Sequence, residues 1–123
     1  MPVTAGALQP AYSDPCQNGY VARLSPGVDR LIYGTYLPGN LQATALLYCD
    51  GSVYYGGSAG AGFPTTPNAY QPDNAGGNDG IIARLDPTGS RLIFATYFGG
   101  PNTDDIGAVA VGPDGTVWAS VIS

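Results

Sequence analysis

The chain has 123 residues, 44% of them hydrophobic and only 11% charged, with a formal net charge of −5. That composition supplies a core and excludes a solvated, disordered chain. The basic residues are only Arg23, Arg30, Arg84 and Arg91, with no Lys/Arg run; this excludes a nucleic-acid groove, which needs clustered cations to replace phosphate counterions.

In chain order, Met1-Pro2-Val3 runs directly into repeat sequence, so Met1 reads as a start residue on a piece of a longer chain. No charged n-region precedes an apolar segment, so no signal peptide is expected. Ala7-Leu8-Gln9-Pro10 reads as a linker, and Gly19-Tyr20-Val21-Ala22-Arg23-Leu24 and Arg30-Leu31-Ile32-Tyr33-Gly34-Thr35-Tyr36-Leu37 read as strands rich in β-branched and aromatic residues. Asp50-Gly51-Ser52-Val53-Tyr54 reads as a tight turn into another strand. The whole series then recurs. Residues 19–39 match residues 80–100 at 11 of 21 positions, Ala69-Tyr70-Gln71-Pro72 repeats the linker, and Asp114-Gly115-Thr116-Val117-Trp118 repeats the turn. The spacing drifts from 62 to 61 to 64, which places insertions in loops between the matched blocks.

Each repeat reads as four short strands, in the second at 80–85, 91–98, 106–111 and 116–121, with 63–77 as an irregular connection. The 19 glycines and 11 prolines recur at corresponding places and so read as turn punctuation. No segment has helical periodicity over two turns. The expected fold class is all-β: β-propeller blades, two four-stranded antiparallel sheets per chain, with 1–62 as the first blade and 63–123 as the second.

The string Phe63-Pro64-Thr65-Thr66-Pro67-Asn68-Ala69-Tyr70-Gln71-Pro72 resembles the linker of the SBBP-type bacterial β-propeller repeat. The resemblance continues through Ala83-Arg84-Leu85-Asp86-Pro87-Thr88-Gly89-Ser90, Ala95-Thr96-Tyr97-Phe98-Gly99-Gly100 and Gly107-Ala108-Val109-Ala110-Val111. It covers essentially the whole chain. The first repeat departs from it at Pro38, which replaces a glycine, and lacks a counterpart of Asp104-Asp105 before Ala43. The resemblance implies a propeller from a large secreted or surface protein of bacteria, hence an extracellular or cell-surface location. It carries no catalytic residue.

Little in the sequence points to chemistry. There is no histidine, which removes the commonest general base and the commonest metal ligand. Gly56-Gly57-Ser58-Ala59-Gly60 fits the G-x-S-x-G spacing but lacks the strand-to-helix turn and the histidine base, so the match is expected to be accidental and the chain not an enzyme. Asp104 and Asp105, with Asn102 nearby, offer oxygens to a hard cation but lack calcium-loop spacing, and read as a solvated loop. Asp73, Asn74, Asn78 and Asp79 form a similar polar loop. No cofactor is called for. Aromatics at strand positions read as core, and the paired Tyr33/Phe94 and Tyr36/Tyr97 favour packing. Tyr12, Tyr48 and Tyr55 lack aromatic counterparts and are the candidates for exposed ligand contacts. Arg23/Arg84 and Arg30/Arg91 repeat in register, which suggests a repeated structural contact with a neighbouring blade.

Cys16 and Cys49 are too few for a disulfide scaffold and are expected at opposite ends of a blade, with no bridge between them. No stretch is long and apolar enough to span a bilayer. The expected function is a noncatalytic structural or interaction module, with a carbohydrate-binding propeller as the rival. The expected partners are identical chains in a closed ring, with even blade totals and a trimer favoured over a tetramer, or further blades of a longer chain; a glycan or protein ligand is the other candidate. Read as two complete blades, the chain leaves no strand over for closure by exchange.

Overall fold

The computed structural model describes residues 1–11, 19–39 and 41–123. It has eight strands: β1 (Tyr20–Leu24), β2 (Leu31–Tyr36), β3 (Leu41–Cys49), β4 (Ser52–Ala59), β5 (Asp79–Leu85), β6 (Leu92–Phe98), β7 (Asp105–Val111) and β8 (Val117–Ile122). All pairings are antiparallel, and the described residues contain no helix. The chain is therefore all-β, and the strands of the second repeat lie within a residue of their expected bounds.

Turn chemistry sets the hairpins. Asp50 and Gly51 have φ of 51° and 82°, the left-handed pair that a two-residue turn needs, and they close Cys49 onto Ser52. The second Asp-Gly differs from the expected tight hairpin. There Gly112 N donates to Thr116 O at 2.8 Å around a loop at 113–115, with Gly115 at φ 87°. The extra residue leaves β7 offset from β3 by 63 positions (Tyr48 to Val111) but β8 offset from β4 by 64 (Val53 to Val117).

The sheets correct the expectation of two four-stranded sheets. β1 and β2 form a two-stranded sheet, β3-β4-β5-β6 form a four-stranded sheet, and β7 and β8 form another two-stranded sheet. The expected boundary at 62/63 thus falls between β4 and β5, which are hydrogen-bonded neighbours from Val53↔Leu85 to Ala59↔Asp79. The reason lies at the far edges of β2 and β6. In the second repeat Thr66 N donates to Ala95 O at 3.1 Å, Ala95 N to Thr66 Oγ1 at 2.9 Å, and Tyr97 N to Gln71 O at 3.1 Å. In the first repeat Thr4 N donates to Gly34 O at 3.2 Å, Gly34 N to Thr4 Oγ1 at 3.1 Å, and Tyr36 N to Gln9 O at 3.1 Å. The linkers occupy those edges, so β3 and β7 cannot add to them and each begins a new sheet. This also blunts edges that would otherwise template aggregation.

The three sheets stack face to face. Val21 and Tyr33 of the β1–β2 sheet pack into one core with Tyr55, Ile81, Ala83, Leu85, Ala95 and Tyr97 of the central sheet. Each fully buried aliphatic or aromatic side chain there contributes roughly 1.5–3 kcal/mol. On the other face of the central sheet β7 comes close. A Cβ on Gly56 would lie 2.7 Å from Ile106 Cγ2 and 3.0 Å from Val109 Cγ2, so contact between these sheets requires glycine there.

Candidate functional site

The positions singled out in the sequence do not converge. Tyr12 and Cys16 lie outside the described residues. Tyr48, on β3, is exposed. Tyr55 is the opposite: it is 0% exposed at the centre of the core, burial pushes its phenol pKa up, and it has no surface to offer a ligand. Its neighbours explain this, because β4 is an interior strand covered on both faces. Cys49 is a free, half-buried thiol at the end of β3.

Asp104 and Asp105 turn apart, as successive residues entering a strand do. Asp104 is buried, and its carboxylate accepts from Gly100 N at 2.8 Å. The Ser123 hydroxyl and that amide hold the carboxyl below the usual range. Asp105 Oδ1 instead accepts from Thr44 Oγ1 at 3.4 Å, across the gap to β3. Asp79, read in the sequence as part of a polar loop, is fully buried: its Oδ2 accepts from Ala75 N at 2.6 Å and Gln71 Nε2 at 3.0 Å, while Oδ1 has no partner. Asp79 and Asp104 flank Gly99, where a Cβ would lie 3.0 Å from Asp79 Oδ1 and 2.7 Å from Asp104 Oδ2. Among the described residues no group of three or more His, Cys, Asp or Glu side chains gathers to hold a metal ion.

The G-x-S-x-G match also has a structural cause. Ser58 is buried in the interior of β4, opposite Gln42 on one side and Gly80 on the other. Gly57 is glycine because a Cβ there would collide with Gln42 O. Three of the four arginines serve different contacts. Arg23 Nη1 donates to Pro87 O at 3.4 Å, joining the first sheet to the central one. Its repeat counterpart Arg84 lies over the Tyr54 ring, 5.3 Å from the centroid, and Tyr54 meets Phe94 edge-on at 5.9 Å. Arg91 pairs at 4.0 Å with Asp86.

What the sequence did not reveal is a groove between the central sheet and β8. It holds about 290 Å³ and is lined by Tyr70, Ile82, Phe94, Thr96, Phe98, Val117 and Ala119. Tyr70 stacks on Phe98 at 5.6 Å at one end, and Tyr70 is 79% exposed. The repeat itself held the signal. The first-repeat positions matching Tyr70, Ile82, Phe94 and Phe98 are Leu8, Val21, Tyr33 and Leu37, all members of the hydrophobic core or packed against it. Among the described residues the groove is therefore an uncovered copy of a junction that is covered elsewhere in the same chain. No protein-family model matches the chain, and no curated protein matches it either.

Proposed function

We propose that the chain is a noncatalytic structural and interaction module, a β-propeller segment of the SBBP repeat type from a secreted or surface protein of bacteria. It assembles with copies of itself into a closed ring. The observation that carries this reading is the packing of a two-stranded sheet against each face of a complete four-stranded one. Two half-sheets and one whole sheet amount to two blades per chain, and propellers close with typically four to eight. A trimer then makes six blades and a tetramer eight; the trimer is favoured over the dimer because four blades demand the steepest wedge.

Light scattering and sedimentation at micromolar concentration test the reading. The expected result is a discrete trimer or tetramer; a folded, cooperatively melting monomer refutes it. A carbohydrate-binding role has one feature in its favour, the exposed Tyr70–Phe98 stack beside the groove, since aromatic faces hold sugar rings. Binding on a glycan array that Tyr70→Ala abolishes would establish that role.

A further inference from the structure

We propose that β8 of one copy of this chain pairs antiparallel with β1 of a second copy, so that β7–β8 and the second copy's β1–β2 complete one four-stranded sheet. The proposal rests on the propeller reading and names the contact that closes the ring. It replaces the expectation that no strand is left for exchange.

The chain carries its own template for this contact. β4 and β5 pair over seven positions, and their repeat equivalents are β8 and β1. β4 is buried at all but one position, whereas β8 is exposed at five of six; β5 is buried at all but one, whereas β1 is exposed at three of five. The pairs Tyr54/Trp118 and Leu85/Leu24 state the difference plainly, at 5% against 67% and 0% against 48% exposure. The far edges of β2 and β6 are already taken by the linkers, which among the described residues leaves β8 and β1 as the open counterparts of paired edges.

The bulges match as well. β1–β2 shifts register between Arg23 and Leu24, and β5–β6 shifts between Arg84 and Leu85. The second copy's hairpin therefore has the shape of the one already seated on β4. Projecting the β4–β5 register gives Val117↔Leu24, Trp118↔Arg23, Ala119↔Ala22, Ser120↔Val21 and Val121↔Tyr20, offsets of 64 on β8 and 61 on β1. In that register Arg23 of the second copy lies over Trp118 as Arg84 lies over Tyr54. The same docking covers Ile82, Phe94 and Phe98 with Tyr20, Ala22 and Leu24, as Val21, Tyr33 and Leu37 are covered by Ile81, Ala83 and Leu85. The groove closes.

Register-specific cross-linking tests this. In a Cys16→Ser/Cys49→Ser background, Ala22→Cys with Ala119→Cys places two thiols directly opposite each other, at a strand spacing that a disulfide spans. Mild oxidation is expected to give discrete covalent multimers. Val21→Cys with Ala119→Cys, one residue out of register and on opposite faces, is expected to give none. The unmodified chain gives an independent readout. Trp118 is the sole tryptophan, so assembly should shift its emission to the blue and cut iodide quenching several-fold. Arg23→Ala should weaken association by about two- to five-fold per contact. A ring in light scattering without the in-register cross-link, or with a link within one chain, overturns strand exchange and leaves the propeller reading standing. A monomer with Trp118 open to iodide at every concentration overturns both.

Discussion

Asp86 organises the turn between β5 and β6, and removing its carboxylate should unfasten it. Oδ1 accepts from Ser90 N at 2.8 Å and Arg91 N at 3.3 Å, and Oδ2 accepts from Thr88 Oγ1 at 2.9 Å and Ser90 Oγ at 3.2 Å. Hydrogen bonds to a charged group are worth about 1.5–3 kcal/mol each when buried. Water replaces much of that at a surface turn, and loss of a comparable helix cap costs about 0.5–2 kcal/mol. Asp86→Ala should therefore cost about 2 kcal/mol, or about 6–12 °C in Tm at fixed protein concentration. Asp86→Asn, which keeps one acceptor, should cost about half. The pH dependence follows from the same bonds. Burial raises the carboxyl pKa, but the Ser90 and Arg91 amides and the Thr88 and Ser90 hydroxyls outweigh it, and the folded value lies below the ordinary 3.8. A depressed folded pKa adds stability that is full above the ordinary value and lost as the pH falls through the folded one. The gap between wild type and Asp86→Ala, measured by circular-dichroism melts, should thus be constant near neutrality and shrink below about pH 4. A variant within about 0.5 kcal/mol of wild type, the range of an ordinary surface change, or a gap that widens in acid, would refute the reasoning.

Three further outcomes are expected. Gly56→Val drives a side chain into Ile106 and Val109 and should cost about 1–3 kcal/mol in urea denaturation, whereas Gly100→Ala, with nothing within 4 Å, should change little. Thr96 Oγ1 accepts from Gln71 N at 2.9 Å, so Thr96→Val should cost about 1 kcal/mol and speed exchange of the Gln71 amide hydrogen. Val28 sits at φ 56° where the second repeat has Gly89 at φ 71°; Val28→Gly should stabilise by up to about 1 kcal/mol in thermal melts, since a β-branched residue is strained there. The same change should tighten assembly in sedimentation, because a Cβ at Gly89 would lie 2.5 Å from the Tyr33 ring, and in the proposed contact Phe94, the counterpart of Tyr33, would face Val28 of the second copy.

The strands were legible because their signals are local. Runs such as Leu31-Ile32-Tyr33 and Gly80-Ile81-Ile82 state their own conformation, and Asp50-Gly51 states its turn. Which strands share a sheet is not local. It depends on Thr66 and Gln71 reaching the backbone of Ala95 and Tyr97, some 25 to 30 residues on. The recurrence of Thr4/Thr66 and Gln9/Gln71 at matching places was the available clue, and a linker reading passes over it. Tyr55 misled for a related reason. Lack of an aromatic counterpart suggests exposure, but Ala119 is small at the matching position because it lies on the largely exposed strand β8. The candidate groove was invisible in either repeat alone, since the same residue pattern is buried in one and open in the other.

That contrast explains the arrangement of the chain. Had each repeat folded into its own sheet, sheets would meet only through side chains, and the ends would differ from the middle only by apolar faces. Here the repeat boundary runs through a sheet instead. The junction between the two repeats is a run of backbone hydrogen bonds as well as a packed core, as β4 and β5 show. Backbone pairing fixes register, because a slip of one residue would turn every side chain to the wrong face. At β8 such a slip would carry Trp118 to the face now held by Ala119. The ends of the chain accordingly carry more than greasy surfaces. In the proposed ring they form two complementary strand edges, with the β4–β5 register and the Arg84–Tyr54 contact as template. On the assembly proposed above, a unit built this way would select its own kind over any other exposed edge, which is the selectivity that the proposed role requires.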